Sequence, residues 1–338
     1  MLANLWVFRA LAYTLIFVSI KEVICSNAIW ADVRPSVQVD WKQNLGPNYE
    51  GAFFRWAICP DGSSYFTDAL GRLARLNANG KVLEDRTGVP ELRGTVAVSC
   101  DVDSKLRAAN WGRLLVLDPT QTPVVQLSVD INHLRLRPSR LAVTREGEWV
   151  ILGQRNGREF VYVLDRTGAL VRSFAEAPVL LPSSLASTSA RRGSLLLNDA
   201  RNEVLYLPMS PPEMRVYDRD GQLVRRSSYL LPDAIIPTQN PISGDISPAD
   251  EVMYATNLPN DRVVVQMFRV VNRSTPSRVR KSSLIILNQG LNPEVMFDAN
   301  AVGITGFLQG SSADGALFFA TITPQQGIQL ARIKLELP

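Results

Sequence analysis

Apolar and polar positions alternate through this chain in short runs, broken at close intervals by Asn, Asp, Gly and Pro. That period of two predicts β-strands joined by tight turns. Three stretches can be set under one another: AICPDGSSYFTDALGRLARLNANGKVLED from Ala57, AVSCDVDSKLRAANWGRLLVLDPTQTPVVQL from Ala97 and AVTREGEWVILGQRNGREFVYVLDRTGALVRSF from Ala142. Each reads as a short strand, an acidic or Gly turn, an apolar strand, an Asn/Asp/Gly/Arg turn, an alternating strand, an Asp-x-x-Gly turn and a last strand. A fourth copy starts at Ala186, with an insertion at Pro208 to Pro212, a fifth near Asp245 and a sixth near Gln309. The intervals between starts are 40, 45, 44, 59 and 64 residues. No helical apolar period of comparable length interrupts them.

Four short strands per unit at this spacing predict propeller blades. One such sheet cannot bury both of its faces alone and must stack on its neighbours. The expected fold is all-β, a six-bladed β-propeller with four antiparallel strands per blade. The sixth copy reaches Pro338 after only three strands, whereas Ser36 to Lys42 (SVQVDWK) alternates ahead of the first copy with nothing to pair with. That segment is expected to supply the outermost strand of the last blade, closing the ring and removing an exposed edge.

Thr67-Asp68-Ala69-Leu70-Gly71-Arg72-Leu73 followed by Leu76-Asn77 and Gly80, and Asn110-Trp111-Gly112-Arg113-Leu114 followed by Leu117-Asp118, resemble the NHL-type repeat of six-bladed propellers. The likeness covers nearly the whole chain beyond its first residues and implies a fold far more than a function. More distantly the sequence is similar to the gluconolactonase and senescence-marker propellers. That resemblance implies lactone hydrolysis with a Ca2+ held at the channel by a Glu, two Asn and an Asp. The inner-strand starts here read Arg55, Thr95, Arg140, Ser184 and Ile242, which supply no such set.

The N-terminus changes the expected compartment. Ala10 to Ile20 is an apolar run behind Arg9, followed by Ser26-Asn27-Ala28, the pattern of a signal peptide over residues 1–28. An uncleaved anchor is the competing reading, since Leu2 to Val7 lengthens the run. A single domain over residues 29–338 would follow, secreted or periplasmic. Cleavage would also remove Cys25 and leave Cys59 and Cys100, a candidate disulfide in an oxidising compartment.

Charge and chemistry narrow the function by exclusion. The 36 Lys and Arg against 32 Asp and Glu leave +4, too mild a balance to make nucleic acid the expected partner. A single histidine, His133, and three cysteines exclude multi-His and Cys-rich metal centres. Asp68, Asn110, Gln154, Asn198 and Asn257 recur after each copy's second strand. They read as turn caps in preference to Ca2+ ligands. Arg72, Arg113, Arg158, Arg201 and Arg262 follow them, read as bridges between blades in preference to a ring around an anion. The long connections between blades should emerge on one face, where a rigid scaffold presents binding residues. Their polar members expected near the axis are Arg55, Arg93, His133, Arg140, Asp233, Asp245 and Asp298. His133 is a weak candidate for a general base. The expectation is a monomeric propeller that binds a ligand or protein through this face without catalysis or cofactor. The alternative is a Ca2+-dependent lactonase or hydrolase, and less favoured still a quinone-dependent dehydrogenase, acting at the central channel.

Overall fold

Short alternating runs become twenty-four strands, grouped in six antiparallel sheets of four, in the computed structural model. It describes residues 35–45, 54–118, 120–121, 124–155, 159–176, 189–190, 192–227, 234–240, 247–271, 280–323 and 327–336. The signal-peptide reading therefore lies outside the described residues. The first blade holds β2 (Phe54–Ile58), β3 (Ser64–Asp68), β4 (Leu73–Leu76) and β5 (Val82–Arg86). The second holds β6 (Ala97–Cys100), β7 (Leu106–Ala109), β8 (Arg113–Leu117) and β9 (Val125–Asp130). The third is β10 (Arg137–Val143), β11 (Trp149–Gln154), β12 (Glu159–Leu164) and β13 (Leu170–Glu176). The fourth is β14 (Ser194–Asn198), β15 (Glu203–Leu207), β16 (Met214–Asp218) and β17 (Leu223–Ser227). The fifth is β18 (Glu251–Leu258), β19 (Arg262–Val270), β20 (Arg280–Leu287) and β21 (Pro293–Asp298). The last joins β22 (Phe307–Ser311), β23 (Leu317–Thr323) and β24 (Gly327–Glu336) to β1 (Ser36–Asn44), the N-terminal strand that closes the ring.

Each blade's first strand packs against the first strands on either side, β2 on β6 and on round to β22 on β2, so these six form the inner wall. Between blades the facing sheets interdigitate apolar side chains. Leu114 and Ile131 meet Trp149 and Tyr162 between the second and third blades, and Trp56, Phe66 and Phe318 fill the joint between the first and sixth. Burial of this kind on both faces holds a propeller blade in place. Cys59 and Cys100 form the expected disulfide, with Cα atoms 5.1 Å apart, joining the ends of β2 and β6.

Turns of the Asp-x-x-Gly type link the third and fourth strands of the first, third and fourth blades. Gly80, Gly168 and Gly221 take positive φ and donate their amides to the carbonyls of Asn77, Asp165 and Asp218. In the fifth blade Leu291, at φ 62°, makes the same turn over Asn288.

Two expectations fail on register. The fourth and fifth blades start at Ser194 and Glu251, not at Ala186 and Asp245, so Asn198 and Asn257 lie on first strands. The runs SLLLN and EVMYATN match the apolar second strands of earlier copies in composition. Ser189 and Ala190, where a first strand was expected, sit in a helical turn.

Gln266, fully buried on β19, ties the fifth blade to the sixth. Its amide nitrogen donates to Ser282 Oγ at 3.0 Å and to the Gly306 carbonyl at 2.9 Å, while Oε1 accepts from the Leu308 amide at 2.8 Å. Gln266→Leu would orphan two buried backbone groups, and urea unfolding is expected to register a loss of about 2–4 kcal/mol. A loss below about 0.5 kcal/mol would show that the blades can shift to re-pair them.

Candidate functional site

The six first strands enclose a cavity of about 210 Å3, and every residue lining it belongs to β2, β6, β10, β14, β18 or β22. Among the described residues, the only charged ones lining it are Arg55 and Arg140. Arg55, Arg140 and Tyr254 come from the first, third and fifth blades, so alternate blades converge on the axis. The Arg140 guanidinium carbon lies 5.1 Å from the centre of the Tyr254 ring, a cation–π contact that spans the channel. Arg55 is fixed by backbone: Nε donates to the Val96 carbonyl at 2.5 Å and Nη1 to the Phe54 carbonyl at 2.8 Å. Arg140 Nη1 donates to the Ser139 carbonyl at 3.2 Å.

Local backbone irregularity accompanies this convergence. Pairing shifts by one residue at Ser139 on β10, at Met253 on β18 and at Gln309 on β22. Such bulges twist a strand and re-aim the side chain that follows, here Arg140 and Tyr254.

The electrostatics of the site are unbalanced. No carboxylate among the described residues pairs with Arg55 or Arg140, although most other half-buried arginines have one. Burial lowers the pKa of Arg55, the neighbouring Arg140 charge lowers it further, and Tyr254 opposes the shift. Trp56 Nε1 and Ser194 Oγ, on two more lining residues, are buried with no hydrogen-bond partner. The other serine and threonine hydroxyls of the lining are engaged: Ser99 donates to the Cys100 carbonyl at 3.3 Å, Ser139 to the Leu152 carbonyl at 3.0 Å, and Thr256 and Ser311 share a bond of 2.9 Å.

Of the residues expected near the axis, the structure brings Arg55 and Arg140 to the cavity. Arg93 and His133 are exposed at the 3-10 turns Pro90–Leu92 and Asn132–Leu134, whose buried Leu92 and Leu134 pin those connections onto the blades. Asp298 ends β21, where it accepts from the Asn300 and Ala301 amides and pairs with Lys281 at 3.3 Å. Asp233 and Asp245 lie outside the described residues. Tyr254, Trp56 and Ser194 were not anticipated. Misplacing the start of the fifth blade hid Tyr254, because it assigned that residue to a second strand.

The recurrent polar positions are structural. Asp68 Oδ1 accepts from the Leu70 and Arg72 amides, both at 2.9 Å, and Asn110 Oδ1 accepts from the Gly112 and Arg113 amides. Asn257 Nδ2 instead donates to the Leu197 carbonyl at 2.7 Å, across to the fourth blade. Arg201 bridges blades to Asp261 at 3.1 Å, but Arg72 pairs with Asp85 and Arg262 with Glu294 inside their own blades. The bridging role expected of this series is seen at Arg201, whereas Arg262 pairs within its own blade. Arg158 lies outside the described residues.

Among the described residues there is no group of three or more His, Cys, Asp or Glu side chains placed to hold a metal. Two guanidiniums with neutral donors do not suit Ca2+, which takes about 6–8 oxygen ligands, carboxylates prominent among them. No helix of the described residues is long and apolar enough to cross a membrane.

No protein-family model matches the sequence, and no curated protein matches it. Among solved structures the chain is similar to a DUF4221-family member from Bacteroides vulgatus, at 8% identity and a TM-score of 0.58, over 91% of this chain and 100% of that one. It is similar to a putative exported protein from Bacteroides fragilis at 7% identity and a TM-score of 0.58, over 92% and 98% of the two chains. A gluconolactonase from Xanthomonas campestris aligns at 14% identity and a TM-score of 0.53, over 91% and 96%. Likeness at these identities establishes the six-bladed propeller and nothing finer.

Proposed function

We propose that this chain is an exported propeller that binds a small ligand at the central channel, from the face where the inter-blade connections arrive, and does not transform it. The observation that carries the reading is the meeting of Arg55, Arg140 and Tyr254 from alternate blades around one cavity. The described lining offers no acid–base couple or activated nucleophile beside them. Export is supported by the apolar run Ala10 to Ile20 and by a disulfide of the kind that persists in oxidising compartments. The repeated Asp-x-x-Gly turns support the NHL-type reading of the blades. A single domain over residues 29–338 without a bound cofactor, acting as a monomer, completes the proposal.

The test is a thermal-melting screen of residues 29–338 against small metabolites, lactones with and without Ca2+ among them, with the ligands recovered and weighed by mass spectrometry. The expected result is a raised melting point with the ligand returned unchanged. Lactone opening that disappears on chelation would overturn the reading in favour of a Ca2+-dependent hydrolase.

A further inference from the structure

We infer that the channel ligand is a compact oxyanion, bearing a carboxylate or phosphate group gripped between Arg55 and Arg140. This rests on the preceding reading and gives that site its ligand class.

Three independent observations support the class. The first is charge: two guanidiniums share one cavity wall with no described carboxylate to neutralise them. A half-buried arginine without a partner costs stability, and two of like sign cost more, so such a pair persists where something else supplies the negative charge. The depressed pKa of Arg55 has the Arg140 charge among its causes and agrees with that repulsion. A cation would be repelled here, and a neutral sugar would leave both charges unanswered.

The second is donor geometry. A guanidinium carries five N–H donors, and backbone carbonyls occupy Nε and Nη1 of Arg55 and only Nη1 of Arg140. The remaining guanidinium donors match the several lone pairs of a carboxylate or phosphate, and the Tyr254 ring supports the Arg140 guanidinium from one side.

The third is construction. The bulges that precede Arg140 and Tyr254 break the alternation that packs neighbouring blades, a local cost that recurs beside binding sites. The volume then sets the size. About 210 Å3 falls below the ~300–1,000 Å3 typical of drug-sized ligand sites, so the anion is small.

Isothermal titration at fixed ionic strength in chloride tests this with succinate, inorganic phosphate and uncharged succinamide. The expected result is 1:1 binding of succinate or phosphate, none of succinamide, and affinity weakened about tenfold or more in Arg140→Met. The free Arg140→Met protein is expected to melt higher than the parent, because a like-charge repulsion is gone. That readout shows the variant is folded and separates anion capture from a structural role. Succinamide binding as tightly as succinate would overturn the anion class while leaving a ligand-binding channel. Unchanged anion affinity in Arg140→Met would place the anion elsewhere and overturn the proposal, as would the absence of heat with both anions. Conversion of a probe would count against the binding reading itself.

Discussion

Deleting residues 1–44, and β1 with them, is expected to leave a protein that cannot fold to a stable closed ring. β1 pairs with β24 along its whole length, from Ser36 opposite Glu336 to Asn44 opposite Gln329. Without it the ten residues of β24 become an open edge, a template for aggregation. The strand also staples the first and last blades. Trp41 Nε1 donates to the Ala78 carbonyl at 3.0 Å, and its ring meets Phe318 edge-on at 5.9 Å. The fit on the first blade is close: a Cβ on Gly80 would lie 2.5 Å from the Trp41 ring, and φ there is +76°, so this turn admits only glycine. At the bulge of β1, Asp40 bonds Arg332, which also holds Asp314 at 2.5 Å. Losing the Trp41 contacts alone costs about 3 kcal/mol. With a ladder of backbone bonds lost as well, at about 1 kcal/mol each, the total consumes the ~5–15 kcal/mol by which domains are stable. Trp41→Ala is accordingly expected to melt lower but fold, the deletion to aggregate, and a peptide of residues 35–45 added in trans to recover soluble protein. A deleted protein that stays monomeric and melts at the parent temperature would refute the closure mechanism.

What the sequence made legible follows from which features are local. Alternation and turn residues are local, so the strand count, the Asp-x-x-Gly hairpins and even the orphan SVQVDWK segment could be read directly. The disulfide was legible as the even pair left beside Cys25, and the fold explains it: Cys59 just past β2 and Cys100 at the end of β6 hold equivalent positions in adjacent blades. Register was not legible where repeats diverge. Apolar runs in the fourth and fifth blades resemble either a first or a second strand, and only packing of β14 and β18 against the inner wall decides between them. The site was half legible for a related reason. Arg55 and Arg140 fall on inner strands whose repeats align, whereas Tyr254 falls in the fifth copy, whose first strand was set too early; the one-residue bulges before Arg140 and Tyr254 leave no mark in composition. Arg93 and His133 are not among the described cavity-lining residues, and the buried Leu92 and Leu134 beside them hold their connections onto the blades.

Replacing both Cys59 and Cys100 by alanine is expected to lower stability by about 4 kcal/mol, since the bond closes a separation of 41 residues and restricts the unfolded chain accordingly. At about 2.1 cal/mol/K of unfolding entropy per residue, a domain of this size shifts by about 1.5 °C per kcal/mol, so the melting point should fall by roughly 6 °C. Alanine is the proper replacement because Cys59 is 1% exposed, and a serine hydroxyl there would add a desolvation cost of its own. The parent protein heated with reductant should approach the same lower midpoint, whereas the variant should ignore reductant. Equal midpoints for parent and variant without reductant would refute the contribution. The position of the bond separates its effect from that of the arginines. Arg55 grips the Val96 carbonyl at the start of the β2–β6 joint and the disulfide fastens its end, so the two ties hold opposite ends of one pair of inner strands. Loss of the disulfide should therefore cost much in global stability and little in anion affinity, because the Arg55 end remains anchored by backbone. Arg140→Met should reverse that pattern, with affinity lost and the free protein more stable.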